Sequence, residues 1–196
     1  MELSEKTIGF AMTGSFCTYS KVIPEIQRLS QTGAKIIPIM SEHSSSTDTR
    51  FGKAADFIKK IEEITENKVI TTINEAEPIG PKKLLDALVV APCTGNSLSK
   101  IANGIADTTV TLAVKSHLRN LRPVVIAVST NDGLGSNAKN IGILANKKNI
   151  FLVPFGQDDF KEKENSLVAK MDLIVPTLKK ALDGRQLQPL LLGADG

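Results

Sequence analysis

"VVAPCTGNSLSKIANGIADTTVTLAVKSHL" occupies residues 89–118 and decides the fold class. It runs from an apolar segment through Pro92, Gly95 and several hydroxyl and amide side chains into a helical segment. Uninterrupted apolar segments are typical of strands buried on both faces of a parallel sheet. Ligands bind such sheets where the strands end, because glycines admit a close backbone approach and helix N-termini offer free N–H groups. The stretch therefore predicts a strand, a binding loop and a helix.

The same alternation of strands and helices recurs along the whole chain. The predicted strands are KTIGFAMTGS (6–15), KIIPIM (35–40), a short one near Val69, LLDALVVAP (84–92), PVVIAVST (123–130) and NIFLVPF (149–155). Helical spacing predicts helices over 21–34, ended by Gly33, over Phe51 to Ile61, and over Ser166 to Ala181. The pattern indicates an α/β fold, a three-layer parallel sheet, in a single domain over 1–185 with a C-terminal tail at 186–196.

Composition excludes several classes of protein. A chain of 196 residues with 41% hydrophobic content is long enough for one hydrophobic core, so we expect one domain. A net charge of +3, one Tyr and no Trp argue against a nucleic-acid partner. The charged start of the chain is followed by only a short apolar segment, so we expect no signal peptide, no membrane span and a cytoplasmic location. Cys17 and Cys93 share no metal-type spacing with the two histidines, so we expect reduced thiols and no metal site.

Three loops rich in hydroxyls follow predicted strands, at 13–15, 41–49 and 92–97. Together they predict a phosphate site, although helix capping explains Ser and Thr in each single loop equally well. A dinucleotide site is the alternative, because residues 133–138 read GLGSNA, a loose G-x-G-x-x-A, and Asp158 follows about 20 residues later. That loop follows a strand late in the chain, whereas the fingerprint normally follows the first strand. Two residues between the strand and the first glycine also lengthen the turn.

The stretches "GFAMTGSFCTYS", "APCTGNSLSKIANGIADTTVT" and "RPVVIAVSTN" resemble the flavin-binding Cys-decarboxylase-like flavoproteins, which include peptidyl-cysteine decarboxylases and flavin prenyltransferases. The resemblance implies flavodoxin-like, Rossmann-like order, a homo-oligomer (trimer or dodecamer) and flavin mononucleotide (FMN) at subunit contacts. Position by position, it assigns the phosphate to Thr13, Gly14, Ser15, Ser41 and Ser44. It assigns the flavin ring to Pro92, Thr94, Gly95, Asn96 and Ser97, with Asp107 in the second half of the motif.

Departures from the family pattern argue against its best-known reactions. Residues 77–80 read EPIG, without the His that precedes the third strand in the resembling decarboxylases. Residues 129–134 read STNDGL in place of their Pro-x-Met-Asn-x-x-Met-Trp segment. The Arg and Glu that prenyltransferases carry after this strand are replaced by small polar residues. Cysteine decarboxylation and prenyl transfer are therefore disfavoured.

Further stretches, among them "STDTRFGKA" (46–54), "NIFLVPFGQDD" (149–159) and "QLQPLL" (186–191), resemble one subunit of the bacterial dipicolinate synthase family. The resemblance implies a role in sporulation, oxidising a dihydro-pyridine dicarboxylate together with an A subunit of dehydrogenase-like fold. Removing a hydride requires an acceptor cofactor. FMN here or NAD(P) on the A subunit could serve, or this chain could be a non-catalytic partner.

A dicarboxylate substrate requires cations, and Arg presents paired donors that match a carboxylate. Arg50 is the first candidate, because it lies in the serine-rich loop beside the predicted phosphate site. His43, in the same loop, could transfer a proton near neutral pH. Weaker candidates are Lys100, Arg119 and Arg122. His117 and Cys93 are expected to be structural. The leucines of the tail add to the expectation of a homo-oligomer.

Overall fold

Strands and helices alternate throughout residues 2–193, the part of the chain that this computed structural model describes. The strands are β1 (Thr7–Met12), β2 (Lys35–Met40), β3 (Ala87–Cys93), β4 (Val124–Thr130), β5 (Ile150–Leu152), β6 (Phe155–Gly156) and β7 (Leu167–Ala169). The α-helices are α1 (Tyr19–Ser30), α2 (Glu42–Ser46), α3 (Ala54–Thr65), α4 (Ile73–Ala76), α5 (Gly95–Ala102), α6 (Thr109–Leu118), α7 (Ala138–Ala145) and α8 (Ile174–Leu182).

Five parallel strands form the body of the sheet, in the order β2-β1-β3-β4-β5. All seven residues of β3 are buried, and only Thr130 of β4 is partly exposed, which is the burial expected of central parallel strands. Helix α1 packs with α3 and α8, while α5 packs with α6 and α7. The predicted three-layer α/β fold is confirmed.

A short antiparallel hairpin extends the sheet beyond the carboxyl end of β4. Ser129 and Thr130 pair with β7, which in turn pairs with β6. The prediction of a helix starting near Ser166 is wrong, because helix α8 begins at Ile174. Apolar spacing in so short a segment fits a strand as well as a helix. The last residues of β4 supply the backbone partners that favour the strand.

Two smaller predictions also require correction. Instead of a strand near Val69, the chain forms a single bridge between Ile39 and Ile70. Pro38 of β2 has no N–H group to continue the ladder, so the pairing stops after one bridge. Helix α3 begins at Ala54 rather than near Phe51, because the Asp48 carboxylate accepts a hydrogen bond from the Ala54 backbone N–H at 2.9 Å.

The tail predicted at 186–196 lies within the described residues as far as 193. Its backbone pairs with β6, since the Phe155 N–H donates to the Leu190 carbonyl at 3.0 Å and the Leu192 N–H donates to the Phe155 carbonyl at 2.9 Å. Leu191 remains 70% exposed. Residues 194–196 lie outside the described part. Among the helices of residues 2–193, none combines the length and apolar character that a bilayer crossing requires.

His117 gives the fold a measurable dependence on pH. Its side chain is 1% exposed and its Nε2 lies 3.1 Å from the Pro123 carbonyl oxygen, which can only accept. Burial lowers the pKa of His117 to about 4. As the pH falls below about 6.5, the unfolded chain therefore binds a proton that the folded chain does not, and stability is lost.

Urea unfolding at different pH values tests this contribution. Between about pH 7 and pH 5, we expect the free energy of unfolding to fall by about 2 kcal/mol more in the wild-type chain than in a His117→Gln variant. Glutamine keeps a donor in the side chain but does not titrate. Equal pH dependence in the two proteins would contradict a buried neutral imidazole.

Candidate functional site

The carboxyl ends of β1, β3 and β4 meet at one edge of the sheet and are joined by side-chain hydrogen bonds. The Thr13 hydroxyl, just past β1, donates to the Pro92 carbonyl at 2.8 Å and accepts from the Thr94 N–H at 2.9 Å. Ser15 and Ser129 join their hydroxyls at 2.8 Å. These bonds hold the loop after β1 against the ends of β3 and β4.

A cleft of about 570 Å³ opens above these strand ends. Its volume lies in the range of roughly 300–1,000 Å³ that is usual for small-molecule sites. Around it lie three groups of residues: the loop after β1 and the start of α1 (Gly14–Thr18, Lys21), the loop between α2 and α3 (Thr49, Phe51), and the ends of β3, β4 and β7 with the β6–β7 loop (Thr94, Gly95, Ser129–Asn131, Asp158, Lys163, Val168).

Two of the predicted phosphate residues border the cleft directly, namely Gly14 and Ser15. Thr13 lies behind them, 1% exposed, and fixes their position through the hydrogen bonds described above. Ser41 and Ser44 are buried outside the cleft lining, where the Ser41 hydroxyl caps helix α2 by accepting from the Ser44 N–H at 3.3 Å. In this structure their hydroxyls hold the loop after β2.

The residues predicted around the flavin ring divide in the same way. Thr94 and Gly95 border the cleft, and the Thr94 hydroxyl caps α5 by accepting from the Ser97 N–H at 3.3 Å. Pro92 and Ser97 are buried supports of this loop, whereas Asn96 is exposed on the first turn of α5, outside the lining.

Asp107 also lies apart from the cleft lining. Its carboxylate accepts hydrogen bonds from the Lys100 ammonium at 2.9 and 3.0 Å, and this partner holds the pKa of Asp107 below its usual range. In the described structure, the pair therefore links the end of α5 to the turn before α6.

Neither of the two predicted catalytic candidates belongs to the cleft lining, but each contacts a residue that does. The Arg50 guanidinium lies 4.9 Å from the ring centroid of Phe51, which borders the cleft, and both side chains are exposed. The His43 ring packs edge-on against Phe16 with centroids 5.9 Å apart, and its Nδ1 lies 3.1 Å from the Thr47 hydroxyl. Arg50 and His43 therefore lie one residue away from the cleft lining, behind Phe51 and Phe16 respectively.

Glycine at position 95 is required by a polar cluster at the floor of the cleft. Asp132 accepts hydrogen bonds from the Thr130 hydroxyl and from the Asn137 amide, and these bonds lower the pKa of Asp132, the Thr130 bond most strongly. A Cβ on Gly95 would lie 2.5 Å from the Thr130 hydroxyl and 2.6 Å from Asn137 Nδ2. The cluster therefore closes directly over the backbone of Gly95.

Gly133 and Asp158, which suggested a dinucleotide site in the sequence, both make contacts within the fold. A Cβ on Gly133 would lie 2.7 Å from the side chain of Leu167, so packing against β7 explains this glycine. Asp158 accepts from the Ser166 hydroxyl at 2.6 Å and pairs with Lys163. These contacts give Gly133 and Asp158 structural roles that do not require a bound dinucleotide.

The two cysteines differ in environment. Cys93 is buried at the end of β3, and burial raises the pKa of its thiol to about 12, which keeps it protonated. Cys17 is exposed and borders the cleft. The described residues contain no group of three or more His, Cys, Asp or Glu placed to bind a metal ion.

Several cleft residues were not among the sequence candidates. The strand end at 129–131 carries a visible signal, because small polar residues follow an apolar strand there. Lys21 and Lys163 carry none, since each is one of many lysines in polar sequence. Only the position of the β6–β7 loop brings Lys163 to the cleft.

Comparison with known proteins identifies the family to which the chain belongs. A family model described as Flavoprotein matches residues 1–182. The B subunit of dipicolinate synthase from Bacillus subtilis (strain 168) is 52% identical over 190 residues, which cover 97% of this chain and 95% of that protein. The chain belongs to the flavoprotein family, among the dipicolinate synthase B subunits. The resemblance noted in the sequence is thereby confirmed.

Two solved structures agree with this fold. The crystal structure of the dipicolinate synthase B subunit from Bacillus halodurans has a TM-score of 0.91 and 47% identity, covering 98% of this chain and 99% of that one. DmrB from Burkholderia xenovorans, solved in complex with FMN and described as a cubic protein cage for redox transfer, has a TM-score of 0.66 at 17% identity, covering 91% and 96%. Identity as low as that of DmrB shows the fold alone.

Proposed function

We propose that this chain acts as the B subunit of a dipicolinate synthase and binds FMN in the cleft at the carboxyl edge of its sheet. With the A subunit, it would oxidise a dihydrodipicolinate-type precursor to dipicolinate during sporulation. The observation that carries the proposal is the cleft bordered by Gly14, Ser15, Thr94 and Gly95, in a chain 52% identical to a dipicolinate synthase B subunit.

The residues of the cleft fit a phosphorylated planar ligand. Gly14 and Ser15 form a loop at the start of a helical segment, where backbone N–H groups and the helix dipole favour an anion such as phosphate. Thr94 and Gly95, which border the cleft at the end of β3, would contact the ring. When bound, a flavin supplies a two-electron acceptor, which the side chains of the chain do not provide.

Arg50 and His43 are proposed to act on the substrate from the rim. Arg50 would bind one carboxylate of the pyridine dicarboxylate, because a guanidinium offers paired donors. His43 would accept or return a proton at the ring. The Phe51 ring beneath Arg50 would hold the guanidinium at the cleft while leaving its donors free.

Two further parts of the proposal concern partners. An A subunit is the partner that the name of the B subunit relatives implies. We propose that its dehydrogenase-like fold carries NAD(P), and that the chain itself forms a homo-oligomer, as a trimer or dodecamer. DmrB is described as a cage, which supports a closed assembly. A non-catalytic B subunit that retains the fold is the alternative.

Reconstitution of the A subunit with and without this chain tests the proposed function. We expect the purified chain to take up FMN and turn yellow, and the mixture of the A subunit with the flavin-loaded chain to form dipicolinate fastest. A colourless chain that refuses FMN but still activates its partner would contradict the flavin role and support the non-catalytic alternative.

Arg50→Ala tests the substrate role of Arg50. We expect FMN uptake to be unchanged and the KM for the dihydro substrate to rise roughly 10- to 100-fold, since a hydrogen bond to a charged group contributes about 1.5–3 kcal/mol. Steady-state kinetics of the mixed A and B complex measures this change. Arg185→Ala, at an exposed arginine paired with Asp183 outside the cleft lining, is the matched control. Equal kinetics of the two variants would remove Arg50 from the site.

A further inference from the structure

Two ammonium groups border the cleft on the side of β7. Lys21 lies in the first turn of α1 and borders both the cleft and a second hollow, which is also lined by Glu25 and by residues 169–172, Asp172 among them. Lys163 lies in the loop between β6 and β7. Both therefore stand at the cleft near β7, whereas Arg50 belongs to the loop between α2 and α3.

Lys21 lies near the N-terminal end of the helical segment that begins at Phe16. That end carries a partial positive charge, which favours anions over cations nearby. Lys21 takes part in none of the ion pairs formed within residues 2–193, and its side chain is exposed. The partial positive charge of the helix end and the ammonium of Lys21 therefore both face the cleft.

Lys163 already has a carboxylate near it, but the pair is loose. Its Nζ lies 3.8 Å from Asp158 Oδ2, and the two side chains are 52% and 32% exposed. The other oxygen of Asp158 accepts from the Ser166 hydroxyl at 2.6 Å, so the hairpin holds the carboxylate while the lysine side chain stays largely in solvent. A ligand carboxylate could replace Asp158 as the partner of Lys163.

We propose that Lys21 and Lys163 form the binding site for the second carboxylate of the pyridine dicarboxylate, and that Asp158 competes with the substrate for Lys163. This inference rests on the proposed function, which places the substrate in the cleft with its first carboxylate at Arg50. Cations on two sides of the cleft select a dianion over a monoanion. Val168, which is half-buried in the lining of the same cleft, offers an apolar contact for the ring.

Binding of two pyridine acids to the full-length chain tests the inference. Calorimetric titration would compare dipicolinate with pyridine-2-carboxylate for the wild type, Lys163→Gln, Lys21→Gln and Asp158→Asn, after FMN loading has been measured by absorbance. Lys161→Gln is the matched control, because it removes the same charge from the same loop at an exposed residue outside the cleft lining.

We expect Lys163→Gln and Lys21→Gln each to weaken dipicolinate binding roughly tenfold or more. Pyridine-2-carboxylate, which can use Arg50 alone, should change less than about threefold. Asp158→Asn should strengthen dipicolinate binding severalfold, since asparagine still accepts from the Ser166 hydroxyl but no longer attracts Lys163. An effect of opposite sign in the lysine and aspartate variants cannot arise from simple loss of folding.

The inference is overturned if Lys163→Gln behaves like Lys161→Gln, if Asp158→Asn weakens or leaves unchanged dipicolinate binding, or if the wild type binds no dipicolinate. Failure of the flavin proposal is distinguishable, because it appears as absent FMN absorbance. In that case the same titrations on the flavin-free chain still decide the roles of Lys163 and Asp158.

Discussion

Gly95→Ala is expected to lower FMN affinity at least roughly tenfold and to destabilise the fold by about 1–3 kcal/mol. The added Cβ would lie 2.5 Å from the Thr130 hydroxyl and 2.6 Å from Asn137 Nδ2, closer than side chains normally approach. Thr130 borders the cleft, so the displaced cluster would enter the space proposed for the flavin ring. Fluorescence titration with FMN and urea unfolding measure the two effects.

Gly142→Ala provides a matched control for Gly95→Ala. Gly142 lies within α7, and a Cβ there has no neighbour within 4 Å among the described residues. Alanine favours a helix by about 1 kcal/mol over glycine, so this variant should be as stable as the wild type or more so, with FMN affinity unchanged. If Gly95→Ala bound FMN as tightly as Gly142→Ala, the ring would lie elsewhere.

Thr13→Val is expected to cost on the order of 1–3 kcal/mol of stability and to weaken FMN binding. Valine has the shape of threonine, but it leaves the Thr94 N–H without the acceptor that now lies 2.9 Å away. The loop after β1 would then separate from the end of β3. Because Thr13 is 1% exposed, a direct contact with the ligand is not the cause.

Thr13→Ser separates the hydroxyl from the methyl group. Serine can make the same two hydrogen bonds to Pro92 and Thr94, so FMN affinity should recover towards the wild-type value. Chemical unfolding and flavin titration of both variants report the comparison. If the serine variant bound FMN weakly and the valine variant bound it as tightly as the wild type, the role given to the Thr13 hydroxyl would be wrong.

Much of the fold was predictable because its central strands are apolar without interruption. The apolar sequences of β3 and β4 predicted that both strands are buried, as they are. The turn residues that follow each strand predicted the edge of the sheet at which the cleft lies. The β6–β7 hairpin was not predictable, since a run of three apolar residues fits a strand or the start of a helix. Its strand character depends on the free end of β4, which is a tertiary contact.

The site was predictable only in part, for a related physical reason. Residue type shows that a hydroxyl follows a strand, but not whether it faces the ligand or holds the loop. Ser41 caps α2 and the Ser44 hydroxyl donates to the Met12 carbonyl, whereas Ser15 borders the cleft. Lys163 comes to the cleft through the hairpin, so its role was invisible without the position of β7.

A crystal structure of the chain grown with FMN tests the central claim most directly. We expect density for the phosphate beside Gly14 and Ser15 and for the ring against Thr94 and Gly95. Flavin bound at another edge of the sheet, or an empty cleft at saturating FMN, would contradict the account.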